Sequence, residues 1–208
     1  MLDNYLQARL TPVFRHVAER LQTLGVQPDT VTWLGFGLGV GAALAIAVQA
    51  FLWGLALLLL SRLCDGLDGA LARLDRPTDR GRFLDITLDF IFYACLPLGF
   101  AVASPDTNAL PAAVLLASFI GTGTSFLAYA ILAKERALAP TGALQKGIYF
   151  LGGLTEGGET LLAFVLMCIF PSAFPVIAYV FSALCVLTTG TRIATGIKTF
   201  QPTLEDKT

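Results

Sequence analysis

The chain has 208 residues, of which 55% are hydrophobic and only 14% are charged. An average soluble domain has roughly 25% charged residues, and the mean hydropathy of +0.71 indicates an integral membrane protein instead. The formal net charge of −1 argues against a nucleic-acid partner, because nucleic acids bind basic surfaces. The four cysteines are widely spaced and contain no CxxC pair, which predicts packing residues rather than disulfides or a zinc site.

Residues 1–27 predict an amphipathic helix. Apolar residues recur every three to four positions from Leu2 to Leu24, while Arg9, Arg15 and Arg20 occupy other faces. This pattern is typical of a helix that lies along a membrane surface, and an apolar run begins directly after it. The alternative is a soluble helix that packs on a partner protein.

Six apolar segments follow, each near the length of about 20 residues that crosses a bilayer as a helix. They are Val31–Gln49, Phe51–Arg73, Arg82–Ala103, Ala109–Ala133, Gly147–Phe170 and Pro175–Thr195. Lys and Arg lie on one side of this arrangement, and the three opposite loops contain none. The positive-inside rule therefore predicts that both termini are cytosolic. We expect one all-α domain over 1–208 in a bacterial-type inner or cell membrane, with an interfacial helix (1–27), a six-span bundle (28–199) and a cytosolic tail (200–208).

Four aspartates lie where membrane proteins rarely keep charge. Asp65 and Asp68 stand in the second span, and Asp85 and Asp89 stand in the third. Residues three or four positions apart share a helix face, and the two helices are consecutive, joined by a loop over 74–81. A carboxylate inside the bilayer is costly unless it is paired or faces a polar cavity. The spacing predicts that the two pairs converge across one helix–helix interface in the cytosolic leaflet.

Three interpretations of these carboxylates are open from their spacing. Hard cations such as Mg²⁺ or Mn²⁺ prefer oxygen ligands, and zinc or copper would need an accompanying set of His or Cys. Salt bridges to Arg62, Arg73 and Arg82 are a structural alternative that leaves the paired spacing unexplained. Intramembrane carboxylates also mark ion pathways, so a cation or proton transporter is the functional alternative.

The neighbouring glycines and one arginine favour phosphoryl transfer. Gly66, Gly69 and Gly81 remove side chains beside the carboxylates, so a ligand or a backbone can approach closely. Arg73 lies one turn beyond Gly69, and a planar guanidinium beside bound metals suits a pyrophosphate. Two metal ions and an arginine around a diphosphate are the groups that phosphoryl transfer uses.

The combined pattern resembles the signature of the CDP-alcohol phosphotransferase family. Every defining position matches, since the chain reads Asp65-x-x-Asp68-Gly69-x-x-Ala72-Arg73 and then Gly81-x-x-x-Asp85-x-x-x-Asp89. The resemblance implies an interfacial helix, six spans, a cytosol-facing polar cavity and a homodimer. It also implies transfer of a phosphatidyl-type group from a CDP-linked lipid, CDP-diacylglycerol, to a small alcohol, with release of CMP, in phospholipid biosynthesis.

The same resemblance implies roles for individual residues. The two-metal site for Mg²⁺ or Mn²⁺ would be held by Asp65, Asp68, Asp85 and Asp89. Asp89 would also be the catalytic residue that takes the proton from the attacking hydroxyl. The CDP moiety would contact Asp29, Thr32, Asp65, Gly69, Ala72, Arg73 and Gly81. Many family members have Asn at the position of Asp29, a departure that concerns this contact and not the chemistry.

Residues outside the signature select the acceptor alcohol, and the candidates are Arg136, Lys146, Glu156, Glu159 and Arg192. Lys146 and Arg192 suit an acceptor phosphate, although anchoring by the positive-inside rule explains them equally well. Glu156 and Glu159 suit acceptor hydroxyls or an ammonium group, and pairing with Arg192 or Arg62 is the structural alternative. The sequence favours a phosphate-bearing or polyol acceptor. A catalytically silent protein is a further alternative, against which the intact signature argues.

Overall fold

The computed structural model describes residues 2–75, 77–136 and 155–201, and these ranges are helical and contain no strand. The helices are α1 (Leu2–Thr23), α2 (Pro28–Ala47), α3 (Phe51–Asp75), α4 (Asp79–Ala103), α5 (Pro105–Glu135), α6 (Gly157–Ile169) and α7 (Phe174–Thr199). A short 3₁₀ turn, Pro171–Ala173, precedes α7. The predicted all-α class is confirmed.

Local chemistry sets the helix boundaries near the acidic segment and the first hairpin. Pro28 begins α2, a position where its missing N–H costs no hydrogen bond. Thr78 caps α4, because its hydroxyl accepts a hydrogen bond from the Gly81 N–H at 3.0 Å. Gln49 adopts a left-handed conformation (φ 63°) between α2 and α3, and its side-chain amide donates to the Ala103 carbonyl at 2.8 Å. This hydrogen bond joins the first hairpin to the end of α4.

Among the described residues, four helical segments are long and apolar enough to cross a membrane, namely Pro28–Ala47, Asp79–Ala103, Pro105–Glu135 and Pro171–Thr199. Helix α3 has 25 residues but carries Arg62, Asp65 and Asp68 in its second half, which lowers its hydropathy. The predicted fifth span, Gly147–Phe170, begins outside the described residues, and α6 forms its second part. The membrane class is therefore confirmed, whereas the count of six spans stays a prediction.

An aromatic core fills the bundle at the level of α4, α6 and α7. Phe92, Phe100, Phe164 and Phe174 are almost completely buried, and the rings of Phe100 and Phe174 stack with centroids 4.5 Å apart. Many large apolar side chains lie on the outside instead; Trp53, for example, is 73% exposed. A buried core with an apolar exterior is what a helix bundle in lipid requires, because the surrounding solvent is itself apolar.

Helix α1 packs on the half of α3 that carries the signature. Ala18 is completely buried and belongs to a small apolar cluster with Ala70 and Leu71 of α3. The Phe14 ring lies so close to Gly66 that a Cβ on that glycine would be 2.7 Å from it. Gly66 therefore accommodates α1 in this structure. The position of α1 along a membrane surface stays a prediction.

Gly99→Ala is expected to destabilise the bundle. A Cβ at Gly99 would lie 2.6 Å from the Ala43 carbonyl oxygen, and backbone of α2 cannot yield without moving the helix. We expect the free energy of unfolding to fall by about 1–3 kcal/mol, the usual cost of overpacking. Gly37→Ala is the matched control, because a Cβ there meets nothing within 4 Å. Thermal unfolding in detergent measures both, and equal melting temperatures would contradict the close α2–α4 contact.

Candidate active site

Three aspartates of the signature converge between α3 and α4. Asp65, Asp68 and Asp85 each offer a carboxylate oxygen, and these oxygens lie within 4.8 Å of one another. Asp68 is buried, Asp65 is half-buried and Asp85 is exposed. In the described part of the chain, the Oδ2 atom of Asp68 is buried without a hydrogen-bond donor. A buried carboxylate oxygen without a donor suits a cation, so the residues fit Mg²⁺ or Mn²⁺, which take oxygen ligands.

The connection between α3 and α4 is shorter than the sequence suggested. We predicted a loop over 74–81, but Asp75 is the last residue of α3 and Asp79 is the first residue of α4. The side-chain amide of Gln22 donates a hydrogen bond to Asp75, and an acidic Asp79 in the first turn of α4 suits the positive end of its dipole. The tight connection brings the two acidic helix faces together.

Asp89, the fourth aspartate, pairs with an arginine. Its Oδ1 atom lies 2.8 Å from Nη1 of Arg62, and the same nitrogen lies 3.7 Å from Oδ1 of Asp65. The predicted salt-bridge alternative thus holds for Arg62, whereas Arg82 lies 4.0 Å from Asp79 instead. One small cavity is lined by Arg62 together with all four aspartates. The four carboxylates therefore share a single polar centre.

A larger cavity of about 480 Å³ opens beside this centre. Its lining contains the predicted CDP-binding residues Asp29, Thr32, Gly69, Ala72, Arg73 and Gly81. The exception is Asp65, which lines the small cavity. We call this space the donor-side cavity. Asp29 is held at its edge by an ion pair of 3.1 Å with Arg80.

Two glycines line the donor-side cavity. A Cβ on Gly81 would lie 3.2 Å from the Thr78 hydroxyl, which is a tight contact, and 3.6 Å from the Asp29 carboxylate. A Cβ on Gly69 would lie 3.4 Å from Nη1 of Arg73, an ordinary van der Waals contact. Glycine at these positions leaves the space beside the polar groups to a ligand.

A second cavity of about 640 Å³ also borders the aspartates, and we call it the acceptor-side cavity. Asp85 and Asp89 lie at one end of it, and Thr155, Glu156 and Arg192 are among its polar lining residues. Much of the remaining wall is aromatic or aliphatic. Asp85 lines both large cavities, so the acidic centre borders both of them.

Two predicted acceptor residues border this cavity, namely Glu156 and Arg192. Arg192 is buried and donates from Nη1 to the Thr122 carbonyl at 3.0 Å. Glu156 caps the start of α6 and forms a reciprocal capping box with Glu159, whose carboxylate accepts from the Glu156 N–H at 3.2 Å. The pair of glutamates therefore has a structural role at this helix end.

Two other predicted acceptor residues, Arg136 and Glu159, lie away from this cavity, and neither is among the described residues that line it. Arg136 donates from Nη1 to the Gln201 carbonyl at 3.3 Å and lies 5.7 Å from the Phe200 ring centroid. Lys146 lies outside the described residues, so its role stays a prediction.

The aromatic rings beside the site were not predicted from the sequence. The guanidinium of Arg62 lies 4.0 Å from the ring centroid of Phe92 and 5.8 Å from that of Tyr93. Thr155 and Thr160, which line the acceptor-side cavity, were not predicted either. The available signal was an arginine inside an apolar span, one turn before Asp65, because such a charge requires partners at the same depth.

Comparison with known proteins places this site in a family. Residues 26–189 match the sequence model of the CDP-alcohol phosphatidyltransferase family. The inner membrane protein YnjF of Escherichia coli strain K12 is 49% identical over 201 residues, which are 97% of this chain and 98% of the relative. The phosphatidylinositol phosphate synthase of Cutibacterium acnes is 36% identical over 144 residues, 67% of each chain.

Solved structures agree at the level of the fold. The crystal structure of the Mycobacterium tuberculosis phosphatidylinositol phosphate synthase with CDP-DAG bound superposes with a TM-score of 0.67 at 23% identity, over 89% of this chain and 94% of that chain. The same enzyme in complex with manganese and citrate gives a TM-score of 0.64 over 88% of each chain. Since the family match covers most of the sequence and includes the acidic centre, this chain belongs to the CDP-alcohol phosphatidyltransferase family.

Proposed function

We propose that this protein transfers the phosphatidyl group of CDP-diacylglycerol to a small phosphorylated or polyol alcohol and releases CMP. The observation that carries the proposal is the position of the acidic centre, which borders both the donor-side and the acceptor-side cavity through Asp85. A transfer reaction needs this arrangement, because both substrates must reach the same reacting atom from separate binding spaces. A transporter would use the same carboxylates without needing Arg73 in the donor-side cavity.

The donor-side cavity suits a nucleotide diphosphate. Arg73 offers a planar guanidinium for the diphosphate oxygens, and Gly69 and Gly81 leave room for the ligand. Thr32 lines the boundary between the small cavity and this space. Support for the lipid part of the donor comes from the related M. tuberculosis fold, which has been solved with CDP-DAG bound.

In the proposed reaction, Asp65, Asp68 and Asp85 would hold Mg²⁺ or Mn²⁺, with Asp89 as a fourth ligand. Bound divalent metal would neutralise charge that develops on the diphosphate oxygens. The acceptor's hydroxyl oxygen forms a bond to the phosphorus of the phosphatidyl group, and the bond between that phosphorus and the CMP oxygen breaks. CMP leaves with the electron pair. Asp89, which lines the acceptor-side cavity, takes the hydroxyl proton as general base.

A phosphate-bearing or polyol acceptor is supported by Arg192. This arginine is 8% exposed and lies in the wall of the acceptor-side cavity, and a buried cation is suited to an anion or a row of hydroxyls. The C. acnes relative is a phosphatidylinositol phosphate synthase, which agrees with such an acceptor. We also propose that Lys146, Arg136, Glu156 and Glu159 affect acceptor binding.

The charge pattern of the sequence supports the proposed orientation, and the family resemblance supports the proposed homodimer. We propose one domain over 1–208 with six spans, α1 on the cytosolic membrane surface, both termini and the active site in the cytosol, and a homodimer as the assembled form. The inner-membrane relative from E. coli supports the membrane assignment. Orientation and assembly can be tested by cysteine accessibility and by mass measurement in detergent.

Replacing Arg192 by Gln is expected to weaken binding of the acceptor and to leave binding of the donor unchanged. The KM for a phosphorylated polyol should rise about tenfold or more, because a charged hydrogen bond is lost, while the KM for CDP-diacylglycerol stays unchanged. The measurement is CMP release from purified protein with a panel of inositol phosphate, glycerol phosphate, inositol, glycerol, serine and ethanolamine. Exclusive use of serine or ethanolamine would contradict the proposed acceptor class. Cation flux across vesicles with no CMP would favour the transporter instead.

A further inference from the structure

Arg62 is a permanent positive charge inside the acidic centre. It stands on α3 one turn before Asp65, and its side chain is only 15% exposed. Its Nη1 atom lies 2.8 Å from Oδ1 of Asp89 and 3.7 Å from Oδ1 of Asp65. The family signature begins at Asp65, so Arg62 is not one of its positions. The proposed chemistry described above gives this arginine no task.

The surroundings hold the guanidinium in place. It lies over the Phe92 ring at 4.0 Å from the centroid, a distance at which a cation is attracted to the ring face. Its Nη2 atom is 3.4 Å from the Ser61 hydroxyl, which itself donates to the Gly35 carbonyl at 2.7 Å. Within the described residues, its buried Nε atom has no hydrogen-bond acceptor. The carboxylates therefore supply the main polar contacts that orient Arg62.

The arginine divides the four carboxylates into unequal groups. Oxygens of Asp65, Asp68 and Asp85 lie within 4.8 Å of one another, and of these three Asp65 lies within ion-pair distance of the guanidinium in the described structure. Asp89 instead accepts a charge-assisted hydrogen bond from Arg62. A divalent cation that takes Asp89 as a ligand must compete with this contact, and it must also approach a positive charge in a partly buried centre where screening by water is weak.

We infer that Arg62 is a built-in counter-ion that makes metal binding unequal and sequential. The first divalent ion binds to Asp65, Asp68 and Asp85. A second ion binds with Asp89 only when Arg62 gives up that carboxylate, so its affinity is lower. This inference rests on the proposed function, since it concerns two metal ions on the same carboxylates. It goes further because it assigns a role to a residue outside the family signature.

This unequal binding is tested by measuring Mn²⁺ binding to the full-length protein in phosphatidylcholine nanodiscs. Neither nucleotide nor alcohol is present. Free Mn²⁺ is measured by electron paramagnetic resonance. The wild type should bind two ions with unequal affinities. Arg62→Met, which keeps an apolar stem over Phe92, should tighten the weaker site about tenfold or more, the scale on which outer groups change metal affinity. The tighter site should change far less.

Two control variants separate charge from structure. Arg62→Lys keeps the positive charge and should keep the two affinities unequal, even where Arg62→Met lowers the melting temperature. Arg15→Met removes an exposed arginine that pairs only with Glu19 on α1 in the described structure, and it should leave both affinities unchanged. A purely structural role for Arg62 predicts weaker metal binding in both Arg62 variants, never a tightening.

The inference is overturned if the wild type binds two ions with equal affinity, or if Arg62→Met leaves the weaker site unchanged or weakens it. These results are independent of catalysis, because no substrate is present. Unequal binding that Arg62→Met tightens, in a protein that releases no CMP with any alcohol, would defeat the proposed function alone. Acceptor-dependent CMP release together with unchanged metal affinities in Arg62→Met would defeat this inference alone.

Discussion

Asp89→Asn is expected to reduce acceptor-dependent CMP release by about 10³-fold, within the range that general base catalysis contributes. An amide cannot take the hydroxyl proton. Its carbonyl oxygen can still accept a hydrogen bond from Arg62, which now bonds to the Asp89 carboxylate at 2.8 Å, so the fold should persist. The measurement is the rate of CMP release at saturating CDP-diacylglycerol, Mn²⁺ and acceptor.

The control for this variant is substrate binding. With Mn²⁺ at saturation to offset the loss of a metal ligand, CDP-diacylglycerol should bind to Asp89→Asn nearly as tightly as to the wild type, because Asp89 does not line the donor-side cavity. If the variant kept more than about a tenth of the wild-type rate, proton transfer to Asp89 would be excluded as an important part of catalysis. If donor binding also disappeared, the loss of rate would reflect a damaged site.

Asp68→Asn is expected to weaken divalent metal binding by about 100-fold, because a ligand charge is lost from a partly buried site. Asp68 is 6% exposed, and its Oδ2 atom meets no donor among the described residues. The same substitution should raise the melting temperature when a chelator is present, since a buried charge with one unsatisfied oxygen is removed. Mn²⁺ at about 100 times its dissociation constant should stabilise the wild type by about 2.7 kcal/mol and the variant much less.

Opposite effects on stability and metal binding distinguish this role from a structural one. A carboxylate that only supported the fold would lower the melting temperature when replaced, with and without Mn²⁺. Asp106→Asn is a suitable control, because Asp106 is exposed in the first turn of α5 and remote in sequence from the signature. Its melting curves should respond to Mn²⁺ as those of the wild type do. A destabilised Asp68→Asn that still binds Mn²⁺ would contradict the metal site.

Much of the acidic centre follows from sequence spacing. Residues three and four positions apart share a helix face. This rule predicted that Asp65 shares a face with Asp68, and that Asp85 shares a face with Asp89. The structure brings Asp65, Asp68 and Asp85 together. The glycine positions were also informative, because Gly69 and Gly81 both line the donor-side cavity. Short-range periodicity and residue size are enough to predict such features.

The sequence could not predict which side chains pair with each other or what shape the cavities take. Arg62 was recognised as a possible salt-bridge residue, but its contact with Asp89 depends on the relative rotation of α3 and α4. The capping box of Glu156 and Glu159 was also missed, since it starts with Glu rather than with the usual Ser or Thr. The acceptor-side cavity joins residues of α4, α5, α6 and α7, and such long-range packing leaves no periodic pattern in the chain.

The main proposal is that the protein transfers a phosphatidyl group to an alcohol at the acidic centre beside the two cavities. Its most direct test combines purified protein in nanodiscs with CDP-diacylglycerol, Mn²⁺ and the alcohol panel, and quantifies CMP and the new lipid together. We expect CMP and phosphatidyl-alcohol in equal amounts, formed only when both the alcohol and Mn²⁺ are present. CMP formed without an alcohol, or no CMP from protein that binds both Mn²⁺ and CDP-diacylglycerol with every alcohol supplied, would contradict it.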